Sequence, residues 1–243
     1  MATPGDAAIP KSLALLWGLD AAGERGPKRG LSLDQILDTA IGIADAEGLA
    51  AVSMGRIAKE LGFTAMSLYR YVDSKKTLFE MLLDRVIGLP PETVPGRPWR
   101  DGLRRWAQAE YESIERHRWW LDLTMNDPPM GPNNMAWLEA GLAALDGTAV
   151  PPPIRMQLVM NLTFYVMGRA RVGRSINPDE GEDEDYDAVL ARLIDPQRFP
   201  HVVATFAQWP YDEDEIDWQQ LDFTFGLERM LDGYESFIRS FET

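Results

Sequence analysis

The sequence predicts an all-α protein: an N-terminal three-helix domain containing a helix-turn-helix, followed by a larger helical bundle. Three observations lead there. Apolar residues recur at helical spacing along most of the chain, and no stretch of any length alternates with the period of two that a half-buried strand requires. Each helical segment is punctuated by a capping residue before it and by Gly, Pro or Asp/Asn after it. Leu89–Pro98 carries four prolines within nine residues, a stretch that no helix continues through.

The elements follow in order. Residues 1–30 read as a flexible arm, ending in the Gly/Pro-bearing basic tail GERGPKRG with Arg25, Lys28 and Arg29. Ser32 and Gln35 form a capping box, and behind it Leu33, Ile36, Leu37, Ala40, Ile41, Ile43 and Ala44 trace an apolar stripe that Gly48 ends. Ser53 opens a second helix with Ile57, Ala58 and Leu61 inward, and Gly62 stops it. A short third helix runs from about Thr64 to Tyr71. Ser74 caps a fourth, apolar at Leu78, Phe79, Leu82, Leu83, Val86 and Ile87, which ends at Gly88. Residues 31–88 make the first domain, 89–98 the linker and 99–243 the second, with helices expected at 99–116, 132–145, 153–175, 186–194, 199–208 and 217–241.

Composition excludes several classes of function. There is no cysteine, so disulfides, Cys-ligated zinc, iron–sulfur clusters and thiol catalysis are absent. Two histidines, His117 and His201, leave little for a metal site, and G-x-S-x-G, H-E-x-x-H and phosphate-binding glycine loops do not occur. The chain is therefore expected to be neither an enzyme nor a cofactor or metal protein. No apolar run approaches the ~20 residues of a membrane span, which makes a soluble, cytoplasmic protein the default. The net charge of −14 argues at first against nucleic acid. It is unevenly spread, however. Residues 1–90 hold 10 Lys/Arg against 11 Asp/Glu, whereas residues 91–243 hold 14 against 27, with seven acids in 178–187 and five in 211–217. These two runs read as solvated loops.

The second and third helices, separated by Leu61-Gly62-Phe63, have helix-turn-helix spacing. Ala58 is small enough for a close crossing, Gly62 can take positive φ, and Ile57, Leu61, Phe63 and Leu68 are the expected core wedge. The stretch ILDTAIGIADAEGLAAVSMGRIAKELGFTAMSLYRYVDSKKTLFEMLLDRVI resembles, end to end, the DNA-binding domain of the tetracycline-repressor (TetR) family of transcriptional regulators. The resemblance rests on A-x-x-x-x-x-x-G-L, the I-A-K-E-L-G turn, and S-L-Y-R-Y-V followed by S-K-K-x-L. SLALLWGLDAAGERGPKRGLSL and FTFGLERMLDGYESF are similar to a subgroup of that family common in actinobacteria.

The resemblance implies a homodimer that binds a palindromic double-stranded operator and represses until a small molecule releases it. It places base reading on Thr64, Ala65, Met66 and Ser67, with Arg70 on the same face, and at Ser53, Met54 and Gly55 at the start of the second helix. Tyr69 would pack on sugar–phosphate or thymine methyl, Tyr71 would donate to a phosphate, and Lys75 would pair with one. The competing role of Tyr69 and Tyr71 is stapling the third helix to the core, and that of Lys75 an ordinary solvated charge. Gly55 stands where the tetracycline repressor has a base-reading arginine, so the tetracycline operator is not the expected target. Ala65 and Met66 suit thymine methyls. For Lys28 and Arg29 two readings stand: an arm for the minor groove, or a solubilising linker.

Residues 153–175 form the most apolar helix. Leu158 to Met167 leave no polar face over two turns, so burial on all sides is expected. A surrounding bundle in a monomer would provide it; the resemblance implies instead that this helix and 217–241 pair with their two-fold mates. Trp106, His117, Met125, Trp137, Met160, Asn161, Phe164 and Met167 are the candidates for an apolar or amphipathic effector pocket. For each aromatic, core packing is the competing role, and for His117 it is capping of the helix that ends beside it. A dimeric regulator without a small-molecule ligand, controlled by abundance or by a protein partner, is the alternative reading of the whole chain.

Overall fold

The computed structural model describes residues 8–19, 30–123, 128–176, 189, 192–208 and 217–242, which are helical with no strand among them. The helices are α1 (Lys11–Leu16), α2 (Leu33–Glu47), α3 (Met54–Leu61), α4 (Ala65–Leu68), α5 (Lys75–Ile87), α6 (Trp99–Arg116), α7 (Pro132–Ala144), α8 (Pro152–Ile176), α9 (Pro200–Phe206) and α10 (Trp218–Arg239). Short 3-10 turns occupy Leu49–Ala51 and Arg118–Asp122. Most of the segment expected as a helix at 186–194, and both acidic runs apart from Asp217, lie outside the described residues.

Local chemistry sets the first helices. The Ser32 hydroxyl accepts from the Gln35 amide at 3.2 Å while Gln35 Oε1 accepts from the Ser32 amide at 2.9 Å, the two halves of a capping box. Ser53 and Ser74 cap α3 and α5 through the amides of Arg56 and Thr77. The N-terminal arm differs from expectation. Residues 11–16 form a helix, with Ser12 buried and Lys11 ion-paired to Asp73 at 3.4 Å. α1 packs against α5, and Trp17 Nε1 donates to the Met130 carbonyl at 2.9 Å. A six-residue helix is not stable by itself; docking holds it, so no local signal announces it.

Helix α5 belongs to both domains. It packs on α1 and α2, with Arg85 paired to Asp34 and Asp38, and its last turn enters the bundle, where side chains from three later segments donate to its carbonyls. Trp120 Nε1 reaches Leu83 O at 3.1 Å, Asn133 Nδ2 reaches Asp84 O at 3.0 Å, Ser113 Oγ reaches Ile87 O at 2.8 Å and Trp137 Nε1 reaches Gly88 O at 3.0 Å. The buried Asp84 carboxylate in turn accepts from the backbone amides of Asn133 (3.2 Å) and Asn134 (2.9 Å), which are otherwise unsatisfied donors in the first turn of α7. Apolar packing is continuous across this junction, from Leu31 to Ile238.

In the bundle α6 packs on α7, α8 and α10. Arg100 on α6 meets Glu228 (2.7 Å), Asp232 (2.6 Å) and Glu235 (3.2 Å) on α10, and Arg104 shares Glu228 at 2.5 Å. Arg104, and after it Arg100, pulls the Glu228 carboxyl down to about 2. α8 is not buried on all sides within one protomer. Phe164 is 62% exposed, and Asn161, Gly168 and Val172 are exposed with it on one face.

Asp84 gives this architecture a test. Asp84→Ala leaves two buried amide donors unpaired and should destabilise the fold by roughly 1–3 kcal/mol, read as a lower denaturation midpoint. Gly131→Ala should act in the same direction, because a Cβ there would lie 2.2 Å from Asp84 Oδ1. A wild-type midpoint for both variants would contradict this role of the carboxylate.

Candidate functional site: a nucleic-acid interface and the bundle behind it

α3 and α4 cross where Ala58 is buried and Gly62 turns the chain with φ of 73°, a conformation that favours glycine. The Phe63 amide closes the turn on the Ala58 carbonyl at 2.9 Å. Ile57 and Leu68 are fully buried and Leu61 partly so, but the Phe63 ring is exposed rather than part of the wedge. Gly55, Thr64, Met66, Tyr69, Arg70 and Lys75 share solvent, and Ala65 and Ser67 are half-buried. Met66 is 75% exposed, an apolar side chain held out at the tip of a four-residue helix. Thr64 Oγ1 and Ser67 Oγ lie 3.0 Å apart, which fixes the hydroxyls at the start of α4. Lys75, the first residue of α5, extends its ammonium over the Phe79 ring at 4.9 Å, next to the free amides of the helix N-terminus. An anion meeting this end of α5 would find both.

Some expected contacts are spent elsewhere. Met54 turns inward and is buried, so it packs α3 instead of reaching outward. The Ser53 hydroxyl is engaged as the α3 cap. Tyr71 Oη donates to the Leu31 carbonyl at 2.6 Å, so the proton expected for a phosphate holds the entry of α2. Lys28 and Arg29 lie outside the described residues.

The bundle sorts its candidates similarly. Trp106 and Trp137 are buried, their rings edge-to-face at 5.8 Å, and Trp106 Nε1 donates to the Trp137 carbonyl at 2.9 Å. Both indoles therefore have structural partners. His117 ends α6 and pairs through Nδ1 with Asp45 of α2 at 2.7 Å; Trp119 Nε1 donates to the same Asp45 oxygen at 2.6 Å. His117 thus lies at the seam between the domains, away from the bundle interior. Asn161 and Phe164 face solvent, Met160 and Met167 are half-buried, and Met125 lies outside the described residues. A cleft of about 460 Å³ opens beneath the linker, floored by Trp106 and bordered by Pro91, Pro95, Arg97, Arg105 and Ala144.

The sequence reading passed over Glu110. It is buried on the inner face of α6, one turn from Trp106, with Thr163 of α8 as hydrogen-bonding neighbour and Oε2 without any partner. Burial pushes its carboxyl up to about 8, and the Thr163 hydrogen bond offsets only part of that. Its signal was present: an acid at the i+4 position of the Leu103, Trp106, Ala107, Tyr111, Ile114 stripe. Among the described residues no group of three or more His, Asp or Glu could hold a metal ion. No helix among them is long and apolar enough to cross a membrane.

Comparison with known proteins agrees with this geometry. Residues 36–82 match the family described as bacterial regulatory proteins, tetR family, and residues 91–238 match the tetracyclin repressor-like, C-terminal domain. The chain is 33% identical to the HTH-type transcriptional repressor DrrR1 of Streptomyces coeruleorubidus, covering 97% of this chain and 89% of that protein. The crystal structure of the Streptomyces coelicolor TetR family protein ActR in complex with actinorhodin superposes with a TM-score of 0.71 and 28% identity. That match covers 86% of this chain and 99% of the other. A TetR variant from Acinetobacter baumannii in complex with minocycline shares the fold, with a TM-score of 0.64 at 17% identity over 85% of this chain and 94% of the other.

Two outcomes follow from the geometry. Tyr71→Phe should lower stability by about 1 kcal/mol and leave the salt dependence of DNA binding unchanged; a reduced salt slope would return Tyr71 to the phosphates. For Glu110, an ordinary glutamate near 4.5 ionises in the unfolded chain while the native carboxyl keeps its proton to about 8. This raised native value means that stability falls as pH rises through that window. Glu110→Gln removes the loss, so its gain in melting temperature should grow from pH 5.5 to 8.5. A gain independent of pH would contradict the assignment.

Proposed function

The chain belongs to the tetR family of bacterial regulatory proteins, and from that premise we propose that it is a repressor that binds a palindromic operator as a homodimer and is released by a small molecule. The observation that carries this reading is the outward face of α4, with Thr64, Met66, Tyr69 and Arg70 exposed and Lys75 beside them, fixed to one end of a helix whose other end is clamped in the bundle. A helix so presented fits a major groove. Lys75 supplies the phosphate contact that sets its register, and Met66 supplies an apolar surface for thymine methyls.

The dimer is proposed from the second exposed feature. Phe164 and Val172 on α8, and Leu221, Phe225 and Phe237 on α10, are large apolar side chains left in solvent by one protomer. Phe164 and Val172 lie about two turns apart and Leu221 and Phe225 about one, so each helix offers an apolar face to a second copy, with Phe237 further round α10. An isologous four-helix contact would bury both faces and set the two α4 helices about 34–36 Å apart, one turn of DNA. Release requires an effector that favours the arrangement in which this spacing no longer fits; affinity alone shifts nothing. ActR bound to actinorhodin and the A. baumannii TetR variant bound to minocycline support a small-molecule role for the bundle.

On a DNA fragment selected by the protein from a genomic library, Lys75→Ala should weaken binding about equally for all sequences and reduce the salt slope by about one unit. A changed base preference at an unchanged slope would overturn the phosphate role. Phe225→Arg should yield a folded monomer that no longer binds the selected fragment specifically, checked by sedimentation and gel shift. Tight specific binding by that monomer would overturn the dimer.

A further inference from the structure

Three buried side-chain atoms among the described residues lack a hydrogen-bond partner: Glu110 Oε2, Glu115 Oε1 and Arg169 Nε. Glu115 and Arg169 are each held in an ion pair, with Arg118 at 3.0 Å and Asp222 at 2.9 Å, and Glu110 is the one of the three with no ion partner shown. Asp84 has two backbone amides, Ser113 donates to Ile87 O, and the indoles of Trp106, Trp120 and Trp137 each find a carbonyl. Glu110 Oε2 has nothing. A buried carboxyl with one oxygen unmatched costs free energy in the isolated protein, and an incoming donor would relieve it. Trp106 and Ser113 flank it on the buried face of α6, while α8 presents Met160, Thr163 and Met167 along one half-buried stripe opposite. Trp106 also floors the cleft beneath the linker, so a ring that displaced the indole would come within one turn of α6, about 6 Å, of the carboxyl.

We infer that Glu110 anchors an effector site between α6 and α8 that takes a lipophilic cation, an apolar ring body carrying a protonated amine. This rests on the reading of the C-terminal domain as the effector domain. The charge of the ligand follows from what the site lacks. A protonated amine donates to Oε2 and stabilises the ionised form of Glu110, which gives up its proton on binding, whereas a carboxylate or phenolate could sit beside Glu110 only while it stays protonated and gains no ion pair there. The excess of 27 acids over 14 basic residues in 91–243 draws cations to this half of the chain. Aromatic and thioether side chains accommodate the ring and favour a cation near it. Charged groups stand on every element packed against α6, namely Asp84 on α5, Arg118 and Asp122 on the 3-10 turn, Glu139 on α7, Arg169 on α8 and Glu228 on α10. None of them contributes to the raised proton affinity of Glu110, which comes from burial opposed by Thr163. The amine therefore meets an uncompensated acid, and on binding the acid gives its proton to solvent.

Three probes with one ring test this: 1-naphthylmethylamine, 1-naphthylmethanol and 1-naphthoate, titrated against the full chain without DNA and read by tryptophan fluorescence and calorimetry. The amine should bind at least tenfold tighter than the alcohol, and its affinity should rise from pH 6 to 8. In the wild-type protein at pH 7 its binding should release close to one proton, measured in buffers of different ionisation enthalpy, a readout that needs no variant to fold. Glu110→Gln should reduce the preference for amine over alcohol to less than threefold and leave alcohol binding unchanged. Tightest binding of the naphthoate, as the exposed Arg97 and Arg105 at the cleft rim would favour, overturns the inference. So does an amine preference that survives Glu110→Gln, an affinity that falls with pH, or binding of none of the three. Release from the selected DNA fragment is assayed separately. Glu110-dependent amine binding without release leaves this site standing and removes the effector-released repressor, whereas release that is indifferent to Glu110→Gln does the reverse.

Discussion

The last turn of α5 is the constraint on which the rest of the structure depends. A helix end leaves its final carbonyls without intrahelical partners, and here donors from the bundle meet that turn: the indoles of Trp120 and Trp137, the Ser113 hydroxyl and the Asn133 amide. Asp84 returns the favour by accepting the first amides of α7. Because these bonds are buried, separating α5 from the bundle would strand several polar groups at once. The helix that carries Lys75 at one end is thereby made part of the bundle at the other, and the position of α4 becomes a property of the bundle's packing.

Two smaller contacts close the seam. Asp45 on α2 gathers Trp119 and His117, and α1 ties Asp73, two residues before Lys75, to the loop at Met130 through Lys11 and Trp17. A shift of α6 or of that loop reaches the DNA-facing domain along α5, through Asp45 or through α1. An effector that repacked α6 against α8 would act on a connected body, which is how a small change near Glu110 could alter the spacing of two α4 helices in a dimer.

What was legible in the sequence was local. Ser32 with Gln35, Ser53, Ser74 and the glycines at 48, 62 and 88 announce their helix ends because a cap is a conversation between neighbours a few residues apart. The helix-turn-helix and its exposed face were legible for the same reason. What the sequence could not show involves partners far along the chain. Trp106, Trp137 and His117 read as pocket residues because aromatic and imidazole groups suit ligands; that their donors are taken by carbonyls and a carboxylate 31 to 72 residues away is a tertiary fact. Met54 at the head of α3 and Tyr71 beyond α4 turn inward for the same kind of reason, while Asn161 and Phe164 lie on the face that one protomer leaves open. α1 was missed because docking, not propensity, makes it a helix. Glu110 was missed because an acid in an apolar stripe reads as a surface residue until the stripe is seen to be buried.

The central claim is that the recognition helix is held rigidly by the bundle through α5. The chain contains no cysteine, so Met66→Cys introduces a single spin label on α4 in each copy, and the label-to-label distance in the proposed dimer, free of DNA, can be read directly by pulsed electron resonance. The account predicts one narrow distance distribution for the wild-type background, and a broad one when Asp84→Ala is added. A broad distribution already in the wild-type background, as from two domains swinging independently about the linker, would contradict it.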